Sequence, residues 1–289
     1  MRQAYEFQDL QSFLNVYYAG MSVLRDEEDF LELANAYFAR AKADGVVHSE
    51  LFFDPQAHVS RGVKLEVVLA GLTKAVRQSQ EVFGVSSRLI MCFLRDLSAE
   101  SAMDTLKAVE VRDAEIIAVG LDSAEVGNPP SKFKEVFEAA LARGYLTVAH
   151  AGEEGPPQYI WEALNLLKVS RIDHGVRCME DPKLVEHLKE KDIPLTVCPL
   201  SNVKLKVVND LKQHNLKKML DAGLKVLVNS DDPAYFGGYI AKNLEDTTAA
   251  LDLSDADLYT LAKNSIEASF IEPALKQNYL SKLDGWRAS

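Results

Sequence analysis

The sequence predicts an α/β fold made of repeated strand–helix units, and three observations carry that prediction. Seven apolar runs of strand length recur along the 289 residues. Segments whose apolar residues have helical spacing lie between these runs. No linker, low-complexity segment or shift in composition interrupts the alternation. Repeated βα units of this length form either a doubly wound sheet or a (β/α)8 barrel, and we expect a single domain over residues 1–289.

The helices and strands can be placed in chain order from their spacing and their end signals. The segment from Asp26 to Asp44 has helical spacing and stops at Gly45, which suits the residue after a helix. Asn128 precedes two prolines and predicts an N-cap, and Asp181-Pro182 predicts another helix start. The predicted strands are 46–53, 88–94, 116–121, 145–150, 170–173, 193–197 and 224–229. The predicted helices are 26–44, 65–83, 102–111, 128–143, 159–168, one opened at 181, 216–222 and a helical tail over 243–283.

The number of strands bears on the choice between the two architectures. A barrel needs eight strands, one more than the sequence supplies. A doubly wound sheet is expected to carry a Gly-rich phosphate loop after its first strand, but the first strand here continues as HSELFFDPQ. Both architectures keep their functional groups at the carboxyl ends of the strands, so the strand ends are the places to search for a site.

Composition narrows the classes of ligand and compartment. The formal net charge is -11, which argues against nucleic acid or an anionic membrane as a partner and favours a small molecule. The three cysteines have no CxxC spacing, so neither a disulfide framework nor a thiolate zinc site is predicted. The N-terminal stretch has no apolar core of a signal peptide, and no run of about eighteen apolar residues follows. We expect a cytoplasmic protein.

The last four predicted strands all end in polar groups that can bind metal or transfer protons. They end at His150, at Asp173-His174, at the segment 198–202 (CPLSN) and at the segment 229–233 (NSDDP). Alone, a histidine at a strand end could be a hydrogen-bonded core residue, and Asp-Pro could be an Asx turn or an N-cap. Four such strand ends on one edge of a parallel sheet instead favour catalysis.

Zinc chemistry would use these residue types. We expect His150 and Asp231 to be zinc ligands and His174 to take a proton from the attacking water. Glu153 could pass a proton to a substrate nitrogen, and Asp232 could hydrogen-bond the substrate. Of the other histidines, His187 and His214 are expected on the surface, and His48 and His58 are given little weight.

The four motifs HAGE (150–153), RIDHG (171–175), CPLSN and NSDDP resemble, in order and spacing, those of the adenosine/adenine deaminase family of zinc-dependent (β/α)8 hydrolases. The resemblance runs from Ala4 to about Phe270 and implies a TIM barrel of the metal-dependent hydrolase type. It implies His150 and Asp231 as ligands of one zinc ion, Glu153 as the acid that protonates the purine ring and His174 as the base. It also implies Asp232 as a purine-binding carboxylate, with loss of ammonia from C6.

Two further segments resemble the adenine deaminase branch of that family: FFDPQ (52–56) and DSAEVGNPPSKF (122–133). Phe52 is expected to stack on the purine, and Glu125 lies where adenosine deaminases carry a Gly-Asp-Glu run. A loop that fills the space of the sugar would favour free adenine in purine salvage. Adenosine and N6-substituted adenines remain alternatives.

The sequence departs from the family at its start. The family's first barrel strand carries a His-x-His pair of zinc ligands, and none of the six histidines here forms such a pair. With two protein ligands, we expect weak zinc binding and an incomplete site. Three hypotheses follow: a zinc-dependent adenine aminohydrolase, a non-catalytic purine-binding relative that has lost its metal, and another metal-dependent amidohydrolase with the same strand-end arrangement.

Overall fold

A computed structural model of the chain describes residues 6–109 and 115–288. These residues divide into two compact units. The first contains residues 6–109, 115–150 and 162–169, and the second contains residues 151–161 and 170–288. The single domain expected from the sequence stays a prediction.

The first unit is built on four parallel strands that neighbour one another in chain order. They are β1 (His48–Phe53), β2 (Ser86–Leu94), β3 (Ile116–Asp122) and β4 (Leu146–Ala151), of which the final residue belongs to the second unit. The helices of this unit are α1 (Leu10–Gly20), α2 (Glu27–Ala43), α3 (Pro55–Val59), α4 (Leu65–Phe83), α5 (Ala99–Ala108) and α6 (Lys134–Ala142). Most residues of β2 and β3 are buried, as expected for strands covered on both faces.

The second unit contains three parallel strands, again neighbours in chain order. They are β5 (Arg171–His174), β6 (Leu195–Val197) and β7 (Val226–Val228), and all of their residues are buried. The helices from this point are α7 (Pro157–Glu162), α8 (Pro182–Glu190), α9 (Pro199–Lys204), α10 (Leu216–Asp221), α11 (Pro233–Phe236), α12 (Ile240–Leu251), α13 (Asp255–Ala268) and α14 (Pro273–Ala288).

Local sequence signals explain several helix ends. The Asp26 side chain accepts hydrogen bonds from the backbone N–H groups of Glu28 and Asp29, which caps α2, and Gly45 after the helix has φ 77°. Asp181 likewise caps α8 by accepting from two backbone N–H groups of its first turn. The predicted helix over 65–83 coincides with α4, and all seven predicted strands are present.

Other predicted boundaries are wrong. Asn128 does not cap a helix: its amide nitrogen donates to Ala124 O at 3.0 Å, and a 3-10 turn (Pro130–Phe133) precedes α6. The helix predicted over 159–168 is present, but it starts at Pro157 as α7 and continues as a π-helical turn (Ala163–Leu167). The predicted helical tail is divided into three helices, α12 to α14. The predicted helix 102–111 is α5, whose expected last two residues lie outside the described residues.

Within the described ranges, no helix combines the length and apolar character needed to cross a membrane.

Candidate active site

In the second unit, the structure brings Glu153, His174 and Asp231 together around one imidazole ring. His174 Nδ1 lies 3.4 Å from Glu153 Oε1, and His174 Nε2 lies 4.0 Å from Asp231 Oδ2. Glu153 and His174 are buried, while the Asp231 side chain keeps 17% of its surface exposed. The ring therefore lies between a buried carboxyl group and a partly accessible one, an arrangement suited to moving protons.

Unusual backbone conformations direct these side chains. His174 ends β5 with φ 62°, and Asp231, three residues after β7, has φ 55°. Both values are in the left-handed region, which non-glycine residues rarely adopt. Non-glycine residues in this conformation are found most often at functional sites. Gly152, one residue before Glu153, has φ 72°, and a Cβ there would overlap the side chain of Ile160. The glycine of HAGE is therefore required by both backbone angle and space.

Cys198 also faces this cluster. One donor atom each from His174, Cys198 and Asp231 lies within 4.8 Å of the others, so the three could converge on a metal ion. Burial, reinforced by the Asp231 and Glu153 carboxylates, raises the pKa of the Cys198 thiol well above its usual value. A thiol must be deprotonated to bind metal, so the nitrogen and oxygen donors suit a metal better than the sulfur.

Asp232 occupies the N-cap position of α11, as expected if Asp-Pro marks a helix start and not an Asx turn. Its backbone carbonyl accepts hydrogen bonds from Tyr235 and Phe236 at 2.9 and 3.0 Å. Its carboxylate makes no capping hydrogen bond to that helix within the described chain. The N-cap position is therefore held through the backbone carbonyl of Asp232 and not through its carboxylate.

The first unit holds the remaining predicted residues, His150, Phe52 and Glu125. His150 follows the buried centre of β4, and its ring centroid lies 5.5 Å from that of Phe52, which is 38% exposed. Glu125 is buried at 1% exposure. The two rings are tilted by 54° to each other, and the exposed Phe52 ring is the one on which a flat heterocycle could stack.

Arg95 is a buried residue beside His150 that the sequence patterns did not single out. It is fully buried, and it donates from Nη1 to the carbonyl of His150 at 2.6 Å and from Nε to the carbonyl of Asn128 at 2.9 Å. Its own backbone N–H donates to Asp122 O at 3.1 Å. Arg95 therefore ties together the ends of β2, β3 and β4, which fixes the backbone that carries His150.

A second cluster, also missed, contains Asp54, Cys92 and Asp122 of the first unit. One donor atom from each lies within 4.8 Å of the others, and all three residues are buried. Burial and, for Asp122, the neighbouring Asp54 charge raise the pKa values of both carboxyl groups. Two carboxyl groups this close in a buried site do not both ionise readily, so the pair retains a proton at higher pH than isolated aspartates would.

We expect Asp122→Asn to raise the melting temperature by a few degrees at pH 8 and by less at pH 5. Folding raises the pKa of Asp122. Its contribution to stability is therefore fully present below the unfolded-state value of about 3.9 and is lost as the pH rises towards the folded-state value. The uncharged amide avoids that loss. Thermal unfolding of both proteins between pH 5 and 8 measures the difference in melting temperature. A difference that becomes smaller as the pH rises would contradict a proton shared by Asp54 and Asp122.

Among the other histidines, the surface prediction for His214 is wrong. His214 is 3% exposed, its Nε2 lies 3.1 Å from Asn202 Oδ1, and Asn202 Nδ2 donates to Glu153 Oε1 at 3.2 Å. His187 is half-buried, with its ring centroid 4.9 Å from that of Trp161. The CPLSN motif singled out Asn202, but no local feature marks His214, which lies among Gln213, Asn215 and lysines.

Comparison with known proteins covers nearly the whole chain. The family model described as adenosine deaminase matches residues 1–286. An adenine deaminase of Acinetobacter baylyi is 58% identical over 98% of this chain and 86% of its own length. The crystal structure of an adenine deaminase from Arthrobacter aurescens has a TM-score of 0.98 and 52% identity, over 100% of this chain and 88% of that one. A zinc-bound amidohydrolase from Burkholderia ambifaria has a TM-score of 0.85 and 27% identity, over 90% and 74%. The predicted barrel-type fold is confirmed.

Proposed function

Because the chain belongs to the adenosine deaminase family, we propose that it is an adenine deaminase, which hydrolyses adenine to hypoxanthine and ammonia. The observation that carries this proposal is the His174 ring held between the carboxyl groups of Glu153 and Asp231. A hydrolytic deamination needs one group to take a proton from water and another to give a proton to the purine, and this arrangement supplies both. The similarity to proteins named adenine deaminase, at more than half identity, supports adenine as the substrate. The reaction would return a free base to purine salvage.

The proposed cofactor is one zinc ion, with His150 and Asp231 as its protein ligands. Imidazole nitrogen and carboxylate oxygen are the donor types that catalytic zinc prefers, and each of these residues is positioned by the end of a strand. The partly exposed Asp231 carboxylate and the protonated Cys198 thiol beside it favour oxygen over sulfur as the donor in the second unit. Zinc, when bound, would lower the pKa of a water molecule and so make it a stronger nucleophile at neutral pH.

Within this proposal, His174 and Glu153 divide the proton transfers. A proton on His174 Nδ1 would point towards Glu153 Oε1, which leaves Nε2, on the Asp231 side, to accept the proton of the attacking water. Glu153 would give a proton to a purine ring nitrogen as the hydroxyl of the water bonds to C6. The proton taken up by His174 would then pass to the amine as the C6–N bond breaks and ammonia leaves, and the C6–OH proton would return to Glu153. Because both groups are buried, solvent does not compete for these protons.

The proposed substrate contacts are Asp232, Phe52 and Glu125. Asp232 follows the proposed zinc ligand Asp231 and supplies a carboxylate, which can accept a hydrogen bond from a purine N–H. Phe52 offers an exposed ring for stacking. Glu125 is buried in the loop that follows β3, where it limits the room beside the base. These contacts recognise the base and include none designed for a ribose hydroxyl.

We expect kcat/KM for adenine to exceed that for adenosine by at least about a hundredfold. Steric exclusion acts only against the larger ligand, and the loops after β1 and β3 would occupy the volume that a ribose needs. N6-Methyladenine should still react, since its methyl group departs with the amine. Ammonia or methylamine release from the three compounds, measured side by side with zinc-supplemented protein, tests this.

The outcomes of that assay separate the candidate functions. Equal turnover of adenosine and adenine would contradict the free-base assignment and leave the deaminase mechanism in place. Binding of adenine without any product would favour a non-catalytic purine-binding protein. Turnover of none of the three, with hydrolysis of another amine or amide substrate, would favour a different amidohydrolase.

A further inference from the structure

We propose that His214, acting through Asn202, is a positioning residue that fixes the Glu153 carboxyl group for proton donation. The three side chains form a continuous buried hydrogen-bonded chain in the second unit, with exposed fractions of 3%, 0% and 3%. The inference rests on the proposed function for the role of Glu153. It assigns positioning roles to His214 and Asn202, neither of which is a proposed zinc ligand or proton donor, and His214 lies outside all four sequence motifs.

A backbone N–H group determines which atoms donate and which accept in this series of hydrogen bonds. The Leu216 N–H donates to His214 Nδ1 at 3.0 Å. A backbone N–H can only donate, so Nδ1 must carry a lone pair. Burial lowers the pKa of His214 to about 4, so the ring is neutral at physiological pH. Its single proton is therefore on Nε2.

That tautomer fixes the orientation of the Asn202 amide. His214 Nε2 lies 3.1 Å from Asn202 Oδ1 and donates to it. The amide nitrogen must then face the other way, where it donates to Glu153 Oε1 at 3.2 Å. Asn202 lies in α9 directly after β6, and its backbone N–H donates to Cys198 O at 2.9 Å, so its main chain is held as well. An amide that could otherwise present either oxygen or nitrogen to Glu153 is limited to nitrogen.

The consequence for Glu153 is a choice between its two oxygens. Oε1 accepts from Asn202 and lies 3.4 Å from His174 Nδ1. The transferable proton is therefore carried by Oε2, and the carboxyl group is held in one rotamer. Second-layer hydrogen bonds of this kind set the orientation of reactive groups, and their loss typically costs about 10- to 100-fold in activity.

Two substitutions of His214 distinguish positioning from a purely structural role. A glutamine places its amide nitrogen near the position of Nε2, so His214→Gln can still donate to Asn202 but loses the acceptor for Leu216. An asparagine places its oxygen near Nδ1, so His214→Asn keeps that acceptor but loses the donor. If His214 acts on Glu153, His214→Asn lowers kcat for adenine about 10- to 100-fold with little change in KM, and His214→Gln retains most of kcat.

The same two variants with a control test the opposite case. If His214 only supports the start of α10, His214→Asn is the milder change in both melting temperature and kcat, and that result overturns the proposal. His187→Asn, a substitution of the half-buried histidine on α8, serves as the matched control and is expected to leave kcat unchanged. A kcat that simply follows melting temperature across all three variants also overturns it.

A spectroscopic measurement keeps this inference separate from the proposed function. Nitrogen-15 NMR of the histidine rings is expected to show His214 with its proton on Nε2 between pH 6 and 8. The Asn202 side-chain amide resonance should shift in His214→Asn and in Glu153→Gln. A wild-type protein that does not deaminate adenine refutes the proposed function. A His214 ring protonated on Nδ1, or an Asn202 amide insensitive to both substitutions, instead refutes the positioning role of His214.

Discussion

Replacement of Glu153 by glutamine is expected to lower kcat for adenine by about 100- to 10,000-fold, the usual contribution of a general acid. The amide has the shape of the carboxyl group but no transferable proton. Metal content and KM should change little, because the loss falls on an interaction made in the transition state. The Asn202 amide nitrogen, which now donates to Glu153 Oε1, can donate to the glutamine oxygen, so the fold around the site is preserved.

Glu154→Gln is the matched control, because it makes the same chemical change one residue later, on a side chain that is only half-buried. Steady-state kinetics on adenine, melting temperature and elemental analysis of both variants complete the test. A Glu153→Gln enzyme with near-normal kcat would remove Glu153 from proton transfer. One that has lost its metal would instead assign Glu153 to the ligand set.

The sequence predicts which strand-end side chains lie near one another because parallel strands impose a simple rule. Side chains at the carboxyl ends of successive strands meet at one edge of the sheet, so the order of strands alone predicts that His174 at the end of β5 lies near Asp231 after β7. The two side chains do approach each other within the second unit, where the Asp231 carboxylate faces His174 Nε2. The helix ends capped by Asp26 and Asp181 are equally local signals.

Buried polar groups that depend on partners distant in the chain could not be predicted in this way. His214 lies in a polar stretch with no apolar periodicity, and its burial follows from contacts with Asn202, whose own partner is Glu153. Arg95 is similar: a charged residue after an apolar strand suggests a solvent-exposed end, whereas its guanidinium donates to carbonyls 33 and 55 residues away. Hydrogen-bonding capacity is visible in the sequence, but the identity of the partner is not.

Backbone detail is the other part that sequence patterns missed. Asn128 before two prolines satisfies the rule for a helix start, yet its carbonyl is taken by Arg95 and its side chain by Ala124. The helix begins one 3-10 turn later. A tertiary contact thus overrides a correct local preference, which is the general reason why element boundaries are harder to predict than the elements themselves.

Replacement of Asp231 by alanine is expected to weaken zinc binding and to abolish adenine turnover. Loss of a residue that only hydrogen-bonds a metal ligand costs about 10- to 100-fold in affinity, and loss of a ligand itself should cost more. Zinc at about 100 times its dissociation constant should stabilise the wild-type protein by about 2.7 kcal/mol, because it binds the folded state. The same zinc concentration should then give little stabilisation of the variant. Thermal unfolding with and without added zinc measures this without reference to activity.

Asp232→Ala is the matched control: it removes the neighbouring carboxylate, whose proposed partner is the purine, and should keep the zinc-dependent stabilisation while raising KM. If Asp231→Ala were stabilised by zinc as much as the wild type, Asp231 would not be a ligand, and the His174 side of the cluster would have to bind the metal instead.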